Sequence, residues 1–153
     1  MKLLPLFMIL LLSACHAVTI NKSEPNILHS EQGHFKAGDV EEHQIVDEHL
    51  VAYNSNEYEA FKALFHQEIE VYDFPNSLSF KGLEALDKVY KSLVEKLDKQ
   101  AFISKRIIDG NFVVDKEAVK FHVAGQGEQL LEVLVVYQIK DNLIYRIMFL
   151  QDE

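Results

Sequence analysis

Residues 130–150 read LLEVLVVYQIKDNLIYRIMFL, and this stretch decides the fold. Its two halves are rich in β-branched and aromatic residues, and the pair Asp141-Asn142 between them favours a type I′ turn. We therefore predict two antiparallel strands, Leu130 to Ile139 and Leu143 to Leu150. Both strands are apolar on both faces, so one face should pack inside the domain and the other should be covered as well.

From this hairpin toward the N-terminus, the strand pattern continues through two further segments and then gives way to helical spacing. Strands are predicted from Phe102 to Ile108 and from Phe112 to Val123, about the turn Asp109-Gly110-Asn111. A further strand runs from Ile69 to Phe74 and stops at Pro75-Asn76.

Helical spacing of apolar residues precedes and follows that strand. It predicts a first helix from Val40 to Tyr53, a short second helix around Phe61, and a third from Gly82 to Leu97. The order α-α-β-α-β-β-β-β predicts an α+β fold, in which three helices pack on one face of a curved antiparallel sheet.

Composition narrows the classes of function. The 153 residues include 15 Lys and Arg against 24 Asp and Glu, a net charge of −9, which argues against binding to nucleic acid. Apolar residues make up 48% of the chain, so disorder by composition is excluded. No glycine-rich phosphate loop and no His-Glu-x-x-His motif occurs, so we expect no cofactor and no metal.

The first residues predict a targeting segment. Lys2 is followed by an apolar run that is too short to span a bilayer and that ends in Leu12-Ser13-Ala14-Cys15. This tetrapeptide resembles the lipobox of bacterial lipoproteins, which implies cleavage after residue 14 and a diacylglyceryl group on Cys15. The alternative is an ordinary signal peptide with a chance Cys.

The predicted chain therefore has three parts: a signal peptide at 1–14, a flexible tether at 15–38, and one domain at 39–153. Two acyl chains would anchor it stably to a membrane. Position 16 is His rather than Asp, so the lipoprotein resemblance implies the outer membrane, facing the periplasm.

Three segments carry a second resemblance. FHQEIEVYDFP at 65–75, FKGLEA at 80–85 and VYQIKDNLIYR at 136–146 resemble the SnoaL-like branch of the nuclear transport factor 2-like superfamily. The resemblance implies a cone-shaped domain with a pocket between the helices and the concave sheet. It also implies a range of functions, since members include ketosteroid isomerases, epoxide hydrolases, polyketide cyclases and non-catalytic binding domains.

Asp73 is the candidate general base. By the two-residue period of a strand it shares a face with Ile69 and Val71, and a carboxylate looking into the cone would be partly removed from water. In the steroid isomerases the general-base Asp likewise ends this strand, nine residues before the glycine that corresponds to Gly82 here. The alternative is that Asp73 caps the turn at Pro75-Asn76.

His49 and Tyr53 are the candidate hydrogen-bond donors, since both lie on the apolar face of the first helix. The resemblance puts His49 where the isomerases carry an oxyanion-binding Tyr, and a protonated His would donate to a developing enolate. Tyr53 is the alternative donor, one turn further on. The alternative for both residues is a place in the core, which is the more common position for a Tyr at helical spacing.

The isomerases also carry a protonated carboxylic acid on the penultimate strand, and the matching position here is Val135. This incomplete polar set favours binding of a small hydrophobic molecule over catalysis, with an acid/base enzyme as the alternative and an interaction module without a pocket as the third interpretation. The residues expected to line the pocket are Phe65, Val71, Leu86, Tyr90, Val133, Val135, Tyr137 and Ile147.

The opposite face of the last two strands predicts an interface. Leu134, Val136 and Met148 alternate with the pocket-facing residues, and an exposed apolar patch of that size is typical of a contact between subunits. We expect a homodimer through this convex face.

Overall fold

The computed structural model describes residues 40–150, with side chains from residue 43 onward. Three helices and six strands follow one another in the chain: α1 (Val40–Asn54), α2 (Tyr58–Ala63), β1 (Phe65–Asp73), β2 (Ser77–Lys81), α3 (Leu83–Lys96), β3 (Lys99–Asp109), β4 (Phe112–Val123), β5 (Gly127–Lys140) and β6 (Leu143–Leu150).

The predicted α+β class is confirmed, and the sheet differs from the prediction in two particulars. The six strands lie in the order β2-β1-β6-β5-β4-β3, and β1 pairs with β6 in parallel, so the sheet is mixed rather than wholly antiparallel. Turn length could not predict this pairing, because almost the whole domain separates β1 from β6 in sequence. The other difference is β2, an edge strand whose residues are mostly exposed and which therefore lacks a predictive apolar pattern.

The hairpin that decides the fold forms as predicted. Asp141 and Asn142 have φ angles of 54° and 57°, the left-handed conformation that a type I′ turn requires at both central positions. Strands β5 and β6 then pair in register, with Tyr137 opposite Ile147 and Val136 opposite Met148.

The register of the sheet separates an inner face from an outer face. One buried row crosses four strands through Val113, Tyr137, Ile147 and Val71. The helices cover this face, with Val46 of α1, Phe61 of α2, and Leu86, Tyr90 and Val94 of α3 buried against it. The inner face is therefore the core side, and it also lines the cavity described below.

The N-terminal predictions lie outside the described residues, namely the signal peptide at 1–14, Cys15, the tether at 15–38 and the domain boundary at 39. None of the three helices within residues 40–150 has the length and apolar character needed to cross a membrane.

Candidate functional site

A cavity lies between α1 and the inner face of the sheet. The space open to the centres of water-sized molecules is about 40 Å³, and the cavity opens to solvent. Helix α1 contributes three residues from a single turn, α3 contributes one, and strands β3 to β6 contribute the rest. The lining consists of His49, Leu50, Tyr53, Tyr90, Ala101, Glu117, Val119, Leu131, Val133, Tyr137, Ile147 and Phe149.

Several of the residues expected from the sequence meet in this lining. His49 and Tyr53 are both present, together with four of the predicted apolar and aromatic residues, Tyr90, Val133, Tyr137 and Ile147. The other four predicted lining residues are buried in the core instead: Phe65, Val71, Leu86 and Val135. They belong to the hydrophobic core cluster and are not among the residues that line this cavity, so their role in ligand binding stays a prediction.

Asp73 does not belong to the cavity lining. It is half-buried, and its Oδ2 accepts a hydrogen bond from the hydroxyl of Ser79 on the edge strand β2. The register places Asp73 beside Phe149, a lining residue, so its backbone lies one strand beyond the cavity. Its predicted role as general base stays a prediction.

The carboxylate that does line the cavity is Glu117 on β4, which sequence reasoning missed. Its side chain lies opposite Val133 of β5 and is only 9% exposed as a residue. The signal was present in the sequence, because Val113, Asp115, Glu117 and Val119 alternate on one face of β4 and the two valines point inward. Two acidic residues in phase with buried valines indicate a buried polar site.

Glu117 accepts a hydrogen bond from another residue of the lining. Tyr137 donates from its hydroxyl to Oε1 of Glu117 at 2.6 Å. Burial raises the pKa of Glu117 to about 7, assisted by the charge of Asp115 and opposed by the Tyr137 hydrogen bond and by Arg106. The group therefore changes charge near neutral pH while lining an apolar cavity.

An ion-pair network lies behind Glu117. Arg106 of β3 binds Asp115 of β4 through two hydrogen bonds of 2.7 Å each, and Asp115 is fully buried. A third donor of Arg106 reaches Asp47 on α1. Burial acts to lower the pKa of Arg106, but the hydrogen bonds and charges of the two aspartates outweigh it and raise the pKa. Three of the five N–H donors of this guanidinium are therefore engaged by the two aspartates.

His49 is neutral in this environment. Burial and, second, the charge of Arg106 lower the pKa of His49 to about 3. Its ring packs against Phe61, Phe65 and Tyr137, with centroids 4.9 to 5.5 Å apart. The lowered pKa argues against the expected protonated form of His49, because burial among aromatic rings removes the hydration of an imidazolium and the charge of Arg106 opposes it. The role of His49 as a hydrogen-bond donor stays a prediction.

Three tyrosines line the cavity together with Glu117. Burial raises the pKa of Tyr53, Tyr90 and Tyr137, and the charge of Glu117 contributes to each shift. All three stay protonated at neutral pH, and the hydroxyl of Tyr137 donates to Glu117. The ring of Tyr53 also receives the ammonium of Lys99, which lies 4.5 Å from its centroid.

Val135, the position that matches the carboxylic acid of the isomerases, is buried. Asp115 lies directly opposite it on β4, and Glu117 lies two residues further along that strand. Within residues 40–150, no group of three or more His, Cys, Asp or Glu side chains is arranged to hold a metal ion.

Three helices pack over the inner face of a curved sheet and enclose an apolar cavity with a few polar groups. This architecture defines the class of the domain. A profile of the SnoaL-like domain family matches residues 46–147. The chain belongs to this family. A comparison with curated protein sequences finds no match.

Solved structures with the same fold have diverse functions. An LEH-like epoxide hydrolase of M. tuberculosis superposes with a TM-score of 0.65 at 15% identity, covering 75% of this chain and 85% of that one. A putative ketosteroid isomerase from Kribbella flavida has a TM-score of 0.58 at 17% identity, with 75% and 80% covered. A computationally designed 17-OHP binder has a TM-score of 0.64 at 11% identity, with 72% and 90% covered. At these identities the likeness shows the fold alone.

Proposed function

We propose that the domain binds a small, largely apolar molecule in the cavity between α1 and the sheet. The observation that carries this proposal is a mostly apolar lining into which a few polar groups converge, chiefly Glu117, Tyr53 and His49. A ligand that donates to Glu117 would add to the hydrogen bond that its carboxylate accepts from Tyr137. The related binder and enzymes have this fold in common with the chain, which supports a ligand site here.

Filling the cavity tests the proposal. A panel of small aromatic alcohols, ketones and amines is titrated into the full-length protein, and binding is followed by heteronuclear NMR shifts. Val119→Trp places an indole in the cavity, whereas Val114→Trp places it on the outer face of the same strand. We expect binding that survives Val114→Trp and is lost in Val119→Trp. Equal binding by the two variants, or no binding by the unmodified chain, overturns the proposal.

Acid/base catalysis is the second candidate function. It is favoured by a carboxyl group with a pKa of about 7 in the cavity lining, since a group that titrates near neutral pH both accepts and donates protons efficiently. In this version Glu117 is the acid or base and Tyr53 is a hydrogen-bond donor. The same role for Asp73 is the competing assignment.

Two variants separate the candidate bases. A small epoxide and a β,γ-unsaturated ketone are the probes, because hydrolysis and proton transfer are chemistries found in enzymes of this fold. If Glu117 is the base, Glu117→Gln removes turnover and Asp73→Asn does not, and kcat/KM follows a pKa near 7. The reverse pattern assigns the role to Asp73. Turnover that is absent from the unmodified chain with both probes removes support for this candidate.

We also propose that the domain is a lipid-anchored protein of the bacterial cell envelope, tethered through Cys15 to the outer membrane. The support is the sequence alone, an apolar run followed at once by Leu-Ser-Ala-Cys. Mass spectrometry of the mature protein should find a diacylglyceryl group on an N-terminal Cys15, and Cys15→Ser should abolish membrane association. A mature form that starts at another residue contradicts the proposal.

A further inference from the structure

We propose that the cavity takes a ligand whose polar head is a protonated or quaternary amine, held by the carboxylate of Glu117 among the aromatic rings of the lining. This inference rests on the proposed binding function and specifies its ligand class. It starts from the balance of charge around the cavity.

Charges near the cavity are predominantly negative. Arg106 is the guanidinium whose charge acts on Glu117, and it is already paired with two carboxylates, those of Asp115 and Asp47. With Glu117 ionised, this cluster contains one guanidinium and three carboxylates, those of Asp47, Asp115 and Glu117. The cluster therefore carries a surplus of negative charge. The surplus lies on Glu117, the member of the cluster that lines the cavity. A cationic ligand would neutralise it, and an anionic ligand would add to it.

The aromatic side chains that line the cavity also favour a cationic head group. Tyr90, Tyr137 and Phe149 line the cavity with Glu117, and the faces of aromatic rings attract ammonium groups. Tyr137 is held toward the carboxylate by its own hydrogen bond, so a cation near Glu117 also lies near that ring. Tyr53 contributes its hydroxyl rather than its ring, because Lys99 already lies over the ring.

Lys99 does not neutralise Glu117. Its ammonium donates to Asn56 Oδ1 at 2.8 Å and to the carbonyl of Val94 at 2.9 Å. These hydrogen bonds hold it to the loop between α1 and α2 and to α3, rather than to Glu117. The titratable neighbours from the helices are His49, which is uncharged above pH about 3, and Tyr53 and Tyr90, which stay neutral because burial raises their pKa. No described cation therefore makes an ion pair with Glu117, and a ligand amine would be the first to do so.

An isosteric pair of probes tests the charge directly. Phenyltrimethylammonium and tert-butylbenzene have the same shape and differ by one positive charge, and the quaternary nitrogen cannot lose a proton. Binding to the full-length protein is measured at pH 8 by NMR titration. We expect the cation to bind at least about tenfold more tightly than the uncharged probe, and Glu117→Gln to remove most of that difference. Glu132→Gln, an exposed position on the outer face of β5, should leave it unchanged.

The pH dependence gives a second readout. The cation competes with the proton on Glu117, so its affinity should rise by about tenfold between pH 6 and pH 8, while the affinity of tert-butylbenzene stays level. Equal affinities for the two probes overturn the inference and leave the proposed binding function intact. If neither probe binds while neutral members of the wider panel do, the inference is also wrong. If nothing in either set binds, the proposed function itself fails.

Discussion

A carboxylic acid that is almost completely buried keeps its proton to a higher pH than one in water, and burial raises the pKa of Glu117 to about 7 in this way. The hydrogen bond from Tyr137 to Oε1 works in the opposite direction, because it stabilises the ionised form. Desolvation wins since the surrounding lining is largely apolar. Glu117 therefore affects both the stability of the domain and the proposed ligand site.

The stability of the domain should depend on pH through Glu117. Between pH 4.5 and about 7 the folded state holds a proton that the unfolded state has released, so stability falls as pH rises through this window. Glu117→Gln should remove that slope and raise the free energy of unfolding at pH 8, by on the order of 2–3 kcal/mol relative to the change at pH 4.5. Urea unfolding at the two pH values measures it.

Glu128→Gln is the control for this measurement, because Glu128 is an exposed carboxylate near the start of β5. That variant should keep the full slope. A Glu117→Gln protein with the same pH dependence as the unmodified chain would show that the carboxyl group is not desolvated.

Among the elements, α1, β3 and β4 are joined by the guanidinium of Arg106. It connects Asp115 on β4 with Asp47 on α1, and α1 in turn carries His49 and Tyr53 into the cavity. The two carboxylates differ in environment: Asp115 is fully buried, whereas the side chain of Asp47 is 64% exposed. Their contributions to stability should differ accordingly.

Asp115→Asn should cost about 3 kcal/mol of stability, because it removes the fully buried carboxylate that binds the half-buried guanidinium of Arg106 through two hydrogen bonds. Asp47→Asn should cost about 0.5 kcal/mol, since water replaces the lost interaction at an exposed site. Chemical unfolding of the two variants at pH 7.5 gives both values. Equal losses would mean that the buried pair is not the main contact of Arg106.

The sequence largely predicted which helices and strands form, but it did not predict how the strands pair in the sheet. Alternating apolar residues and turn-forming residues predicted β4, β5 and β6, and helical spacing of apolar residues predicted all three helices. These signals lie within each segment. The edge strand β2 was missed because an exposed strand has no apolar face to reveal it. The parallel pairing of β1 with β6 joins distant segments, and local patterns carry no information on such a pair.

For the whole molecule, the outer face of the sheet is the feature that remains without a described partner element. A row of mostly apolar residues crosses all six strands on this face, and its members are Ile107, Val114, Val136, Met148, Tyr72 and Leu78. Leu134, at 42% exposure, lies beside this row. Such continuity across a sheet is typical of an interface.

We expect the chain from residue 39 onward to form a homodimer through this face. Leu134→Glu should convert it to a monomer at micromolar concentration, because a charge within the buried interface would be desolvated without a partner. Gln138→Glu, on the same face but in the polar row with Arg146, is the control and should remain dimeric. Sedimentation equilibrium decides the question, and an unmodified chain that sediments as a monomer contradicts the expectation.

The sequence by itself determined the fold class, the hairpin and the face on which each strand residue lies, because these follow from periods of two and 3.6 residues along the chain. Only the tertiary structure decided which inward-facing residues meet open space. Val135 and Glu117 both point inward, yet one is packed in the core and the other lines the cavity. The physical reason is that a cavity exists where a curved sheet draws away from the helices, and that separation depends on contacts between distant elements.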